Sequence, residues 1–108
     1  MKKISIIVPF FNEEEGVQQF FAELNTELLR LKEYSFQLLL VDDGSDDQTL
    51  RFLKDLKIPD EINAKIIELS RNFGKEAALT AGIQNYTGDA VIFMDSDLEH
   101  PPKTIKQM

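Results

Sequence analysis

Four short apolar runs, separated by segments of helical character, constrain the fold of this chain more than any other feature. They are Ile4-Ser5-Ile6-Ile7-Val8, Phe36-Gln37-Leu38-Leu39-Leu40-Val41, Lys65-Ile66-Ile67-Glu68-Leu69 and Ala90-Val91-Ile92-Phe93-Met94. Each shows little internal alternation, the pattern of strands covered on both faces. Between the first two, Val17, Phe20, Phe21, Leu24, Leu28 and Leu31 recur at helical spacing and predict a helix over 13–31. Asn12 is its expected N-cap, with Glu15 three residues on and the glutamates at the favourable end of the helix dipole. Ser45 and Gln48 form a capping-box pattern for a second helix carrying Leu50, Leu53 and Leu56, broken at Ile58-Pro59-Asp60. A third helix, over 76–85, carries Ala77, Ala78, Ala81 and Gly82, small enough for close packing on a sheet. Pro9 is expected to end the first strand, and Pro102 suits the first turn of a further helix.

The resulting order, β-α-β-α-β-α-β, predicts the α/β class: a Rossmann-like three-layer sandwich with a mainly parallel sheet and right-handed crossovers. A length of 108 residues suits one domain with a modest core. The net charge of −7, from 19 acidic and 12 basic residues, argues against a nucleic-acid partner, which would need basic surface. It also means that an anionic ligand needs a cation or local donors to offset the field. With no cysteine and one histidine, thiolate metal sites and multi-histidine zinc sites are excluded. No apolar run approaches the roughly 18–20 residues of a bilayer span. The N-terminal stretch, interrupted by Pro9, Asn12 and three glutamates, reads as a strand and turn rather than a signal peptide.

Ligands of parallel α/β sheets bind outside the carboxyl ends of the strands. The polar residues of this chain collect there: Pro9-Phe10-Phe11-Asn12-Glu13, Asp42-Asp43-Gly44-Ser45, Ser70-Arg71-Asn72-Phe73-Gly74-Lys75 and Asp95-Ser96-Asp97-Leu98-Glu99. In extended backbone Asp95 and Asp97 emerge on the same side. Carboxylates so close repel unless a proton or cation lies between them. A hard divalent ion, Mg²⁺ or Mn²⁺, suits such a pair and usually keeps positions open for substrate phosphates. A solvated turn before Pro101-Pro102 is the plainer reading.

The other segments also carry two readings each. Asp42 and Asp43 start a turn, or Asp43 accepts hydrogen bonds from a base or ribose. Phe11 is an edge-of-core aromatic or a stacking platform. Glu13 complements the helix dipole or reaches a ligand. Arg71 and Lys75 are solvated charges, or cations beside a diphosphate, helped by the amides opening the next helix. His100 reads as a surface or packing residue. Neither G-x-G-x-x-G after the first strand nor a Walker A sequence occurs, so the usual phosphate cradles are missing. A metal-dependent nucleotide site remains.

At these residues the chain resembles family 2 glycosyltransferases. The resemblance is carried by Ile7-Val8-Pro9-Phe10-Phe11-Asn12-Glu13, Val41-Asp42-Asp43-Gly44-Ser45 and Asp95-Ser96-Asp97. Ser70-Arg71-Asn72-Phe73-Gly74-Lys75-Glu76 and the stretch from Asp95 to Pro102 are similar to its polyprenyl-phosphate branch, which includes dolichol-phosphate mannosyltransferases and bactoprenol glucosyltransferases. The resemblance implies a GT-A fold, a nucleotide-sugar donor and Mg²⁺ or Mn²⁺. It implies nucleoside contacts at Pro9, Phe11, Glu13, Val41 and Asp43, and nucleotide and metal contacts at Asp95, Ser96 and Asp97. Lys75 is the candidate diphosphate cation. The branch often has tyrosine at Phe11 and glutamine at Glu99; here Glu99 is a candidate third metal ligand.

The implied reaction is inverting transfer of a hexose from a UDP-sugar, or second a GDP-mannose, to polyprenyl phosphate at the cytoplasmic face of a membrane. Residues 1–108 are then expected to be the donor-binding half, soluble and inactive by itself. Any catalytic base, the acceptor groups and the membrane contacts are expected outside it. A saccharide acceptor within the same family is the alternative. A receiver-like Mg²⁺ signalling module would need a third, phosphorylatable aspartate and a late lysine. A nucleotidyltransferase would need a basic glycine-rich loop after the first strand, which Pro9-Phe10-Phe11-Asn12-Glu13 is not.

Overall fold

The computed structural model describes residues 2–96. Its elements are strand β1 (Lys2–Phe10), helix α1 (Val17–Arg30), strand β2 (Tyr34–Asp42), helix α2 (Thr49–Lys54), strand β3 (Ile62–Glu68), helix α3 (Lys75–Ile83) and strand β4 (Ala90–Phe93). The strands form one parallel sheet in the order β3-β2-β1-β4. The chain steps outward from β1 through β2 to β3, then returns past both to place β4 on the far side of β1. With right-handed crossovers, that reversal puts α3 on the opposite face from α1 and α2.

Side-chain parity follows from this arrangement. Ile6, Val8 and Phe10 of β1 and Phe36, Leu38 and Leu40 of β2 pack with Val17, Phe20, Phe21, Leu24, Leu28 of α1 and Leu53 of α2. The intervening Ile7, Leu39 and Val41 face the other way and pack with Ala78 of α3. Strands covered on both faces have no polar side to show, which is why their sequences barely alternate. The Phe10 and Phe20 rings meet edge to face, centroids 5.9 Å apart, and fix α1 against the carboxyl end of β1.

Several element ends differ from expectation. Pro9 does not end β1; it pairs in register with Val41. The Phe10 carbonyl accepts from Asp43 on the β2 side, and the Ile7 carbonyl accepts from Met94 on the β4 side. Alternation turns the nitrogen of Pro9 toward β4, beyond the Ile7–Phe93 pair where that ladder stops. Its missing N–H therefore breaks no ladder bond. Helix α1 begins at Val17, not near Glu13, and is capped by Gly16 with no side-chain hydrogen bond. Neither Asn12 nor Ser45 acts as a cap: α2 is capped by Gln48, again without a side-chain bond. The further helix expected at Pro102 lies outside the described residues.

Helix α3 approaches the sheet closely because Gly82 faces Ile7. A Cβ at Gly82 would lie 2.4 Å from Ile7 Cγ2, and Ile7 is fully buried. Its branch point is stiff and has no space to yield. Gly82→Ala gains about 1 kcal/mol of helix propensity but overpacks a filled core at a cost of about 1–3 kcal/mol. The substituted protein is expected to unfold at lower urea concentration than the parent. A raised midpoint would contradict this packing.

Candidate functional site

The reversal of strand order leaves a crevice between the carboxyl ends of β1 and β4, the usual ligand position in such sheets. A cleft of about 260 Å³ opens there, lined by Pro9, Phe10, Phe11, Glu13, Asp43, Asn72, Gly74, Lys75, Asp95 and Ser96. All four strand-end segments contribute. Phe11 is 41% exposed, so its ring lies on the cleft wall rather than in the core. Glu13 sits before α1, outside the helix it was expected to open. Ser96 lines the cleft and is buried. Val41 is sealed in the core beside α3 and does not line the cleft. Asp97, Glu99 and His100 lie outside the described residues.

The loop after β2 organises its neighbours. Asp43 is only 3% exposed, and its carboxylate accepts hydrogen bonds from the backbone N–H of Phe73 (2.9 Å) and Gly74 (3.0 Å) and from Asn72 Nδ2 (3.3 Å). Bonds to a charged acceptor contribute about 1.5–3 kcal/mol each, enough to offset the burial of the charge. They leave part of the carboxylate's acceptor capacity, about four positions, for a ligand in the cleft. Gly44 follows with φ +69°, and a Cβ there would lie 2.1 Å from the backbone carbon of Arg71. The loops after β2 and β3 therefore touch through bare backbone.

A second set of bonds ties this loop to the one after β1. Ser45 Oγ donates to Asp42 Oδ1 (2.6 Å) and accepts from the Asn12 N–H (2.9 Å). Thr49 Oγ1 donates to Asp47 Oδ1 and accepts from the Glu13 N–H (2.8 Å). Asn12 Oδ1 accepts from the Asp46 N–H (2.8 Å), and Glu14 Oε2 from the Gln48 N–H (3.1 Å). Asn12 holds a left-handed φ of 52° within this set. The backbone donors of 12–14 are thus engaged across the loop, ahead of α1.

The cations also differ from expectation. Lys75 lines the cleft and forms an ion pair with Asp95. Arg71 lies away from the cleft wall, its guanidinium 4.9 Å from the centre of the Phe73 ring. The amides at the start of α3 do not all await an anion, since Asp43 already takes that of Gly74. Asn72, which sequence reasoning did not single out, both lines the cleft and braces Asp43. The signal for it was the buried Asp43 itself, which needs donors. Among the described residues no cluster of three or more histidine, cysteine, aspartate or glutamate side chains could hold a metal ion. Asp95 supplies one hard oxygen donor at the cleft, and Asp97 and Glu99 follow it in sequence. Mg²⁺ or Mn²⁺ needs only one or two carboxylates when substrate phosphates complete its shell, so this donor chemistry fits such an ion.

A parallel α/β sheet with a cleft at its switch point has the layout in which such folds bind their ligands. The model of the family described as "Glycosyl transferase family 2" matches residues 5–108, and the chain belongs to this family. It is 41% identical over 106 residues to the bactoprenol glucosyl transferase of Shigella phage SfX, covering 98% of this chain and 34% of that protein. The chain spans about a third of the length of the curated relatives it matches. S. aureus TarS 1–349, solved in complex with UDP, matches with a TM-score of 0.74 at 29% identity, covering 88% of this chain and 27% of that one. The mannosyltransferase PcManGT from Pyrobaculum calidifontis, solved with GDP-Man and Mn²⁺, shares the fold, with a TM-score of 0.73 at 21% identity over 89% of this chain and 28% of that one. The expected GT-A-like fold and the family resemblance are both borne out, and the receiver-like reading is set aside.

Asp47 carries a testable pH signature. Burial pushes its carboxyl up, but hydrogen bonds from the Thr49 side chain and from the backbone of Thr49, Glu14 and Asp47 outweigh this and hold it below the usual carboxylate range. A carboxyl with a lowered folded-state value stabilises the fold above its unfolded-state value. That contribution is lost as pH falls through the folded-state value. Asp47→Asn is therefore expected to be less stable than the parent at neutral pH, with the gap closing as the solution is acidified below the ordinary carboxylate range. Urea midpoints of both proteins across that range measure it; a gap independent of pH would contradict the assignment.

Proposed function

We propose that this chain is the donor-binding part of an inverting glycosyltransferase that moves a hexose from a nucleoside diphosphate sugar to a polyprenyl phosphate. The carrying observation is the cleft itself, where an exposed aromatic, a braced carboxylate and an Asp-Ser pair from separate strand ends face one space. In this reading the base stacks on Phe11, beside Pro9 and Glu13. The residual acceptor capacity of Asp43 takes a base imide or ribose hydroxyl. Val41 contributes from beneath, by filling the core under Asp43. The diphosphate lies toward Lys75, Asp95 and Ser96.

Asp95, with Asp97 and Glu99, would hold Mg²⁺ or Mn²⁺, and the ion when bound would neutralise the departing diphosphate as a Lewis acid. Separation of Lys75 from Asp95 would free both groups for this role. An acceptor phosphate is already ionised and needs less help from a base than a hydroxyl would. The likeness to a bactoprenol glucosyl transferase supports the polyprenyl acceptor. A UDP-sugar is the first choice of donor, supported by the likeness to a UDP complex, and GDP-mannose the second. A lipid acceptor sets the work of the whole enzyme at a membrane, at its cytoplasmic face. Among the described residues no helix is long and apolar enough to cross one. Acceptor groups and any catalytic base are assigned to the length of the relatives that this chain does not span.

Calorimetry of the chain with UDP and with GDP, each with and without Mn²⁺, tests the reading. Binding is expected with UDP and to depend on the metal. Asp97→Asn is expected to weaken the metal-dependent part by about tenfold or more, the worth of one charge-assisted contact. Metal-independent binding that ignores the substitution would overturn it.

A further inference from the structure

We infer that Ser45 and Thr49, each oriented by a carboxylate outside the cleft (Asp42 and Asp47), are positioning residues that set nucleotide affinity through two parallel hydroxyl relays. The inference rests on the nucleotide reading above. In each relay a hydroxyl spends its single proton on a carboxylate and is left with lone pairs as its only remaining function. Ser45 Oγ, oriented by Asp42, accepts the Asn12 N–H; Thr49 Oγ1, oriented by Asp47, accepts the Glu13 N–H. Without the carboxylate each hydroxyl could turn its proton toward the amide, and the two donors would oppose each other. The carboxylates thus fix the sense of a bond they do not themselves make.

These two amides belong to the segment that carries Phe11 and Glu13 into the cleft. The segment is not helical, contains a left-handed Asn12, and is not capped onto α1 by any side chain. Its hold on the rest of the molecule comes largely from β1 on one side and from these bonds on the other. Thr49 is completely buried, so water cannot replace its oxygen as the acceptor. Loss of either relay loosens the first loop, and the stacking wall of the cleft with it, although the bonds of the Asn12 and Glu14 side chains remain. Affinity then falls because the loosened loop must be ordered again on binding.

Thr49→Val keeps the shape and removes the acceptor; Thr49→Ser keeps the hydroxyl; Ser45→Ala tests the other relay. Amide hydrogen exchange of the ligand-free chain is expected to speed up at Glu13 in Thr49→Val and at Asn12 in Ser45→Ala. The Asp89 amide, bonded to the Lys3 carbonyl at the far end of the sheet, serves as the control and is expected to stay protected. UDP affinity in the presence of Mn²⁺ is expected to fall on the order of tenfold in Thr49→Val, the worth of one buried hydrogen bond, and to recover in Thr49→Ser. Unchanged exchange at Glu13, or unchanged affinity despite faster exchange, overturns the inference, as does equal loss of protection at Asp89. If the parent chain binds neither UDP nor GDP, the nucleotide reading fails. The exchange pattern then decides alone whether the relays hold the loop.

Discussion

The carboxylates that follow β2 are stabilised by neutral hydrogen-bond donors of adjacent loops, and the ligand end of the molecule depends on that arrangement. Asp42, Asp43 and Asp47 lie within a few residues of one another and their charges repel. Each is satisfied by backbone N–H groups, hydroxyls or the Asn72 amide. Donors of this kind offset desolvation without cancelling charge. The loops are locked together, and the field around the cleft remains negative, in keeping with the net charge of −7. On the proposed reading a diphosphate meets that field directly, and a cation is part of its binding rather than an accessory.

The order of the strands does the rest. Because the chain turns back across the sheet after β3, α3 crosses to the other face and opens a crevice beside β1. The position of the helix is set by contact rather than by length. Gly82 lies against Ile7, while at the other end Asp43 holds the amides that open the helix. Lys75, in the first turn of α3, is thereby carried to Asp95 beyond β4. Segments from all four strand ends converge on the cleft although they are spread from residue 9 to residue 96.

This division explains what could be read from the sequence. The central strands and the sheet type were legible because burial on two faces writes itself into the residues of β1 and β2, and one apolar stripe into a helix; the edge strands β3 and β4 carry the same apolar pattern but are largely half-buried or exposed. The convergence of the four strand ends followed from topology. The starts of α1 and α2 were not legible. Asn12 and Ser45 satisfy the local rules for caps, yet both have partners 33 and 34 residues away, and those bonds win. A capping motif describes what a side chain does when nothing else is in reach. Pro9 looked like a strand end for a similar reason: its effect depends on whether a neighbour needs its N–H, and none does here.

The absence of a glycine-rich loop after β1 acquires a physical meaning in this setting. A phosphate cradle needs unengaged backbone N–H groups pointing at the ligand. In this fold the amides of residues 12–14 point away, toward Ser45, Thr49 and Asp47. At the start of α3, where an anion would otherwise be welcome, the amides of Phe73 and Gly74 already hold the carboxylate of Asp43. The protein has filled both places with its own acceptors, two hydroxyls and Asp47 at the first and the Asp43 carboxylate at the second. A phosphate group entering at the Phe73 and Gly74 amides would have to displace the buried Asp43, losing bonds of about 1.5–3 kcal/mol each. On the proposed reading it goes instead to the one wall where charge is already exchanged between partners, the Lys75–Asp95 pair, and brings its own counter-ion with it.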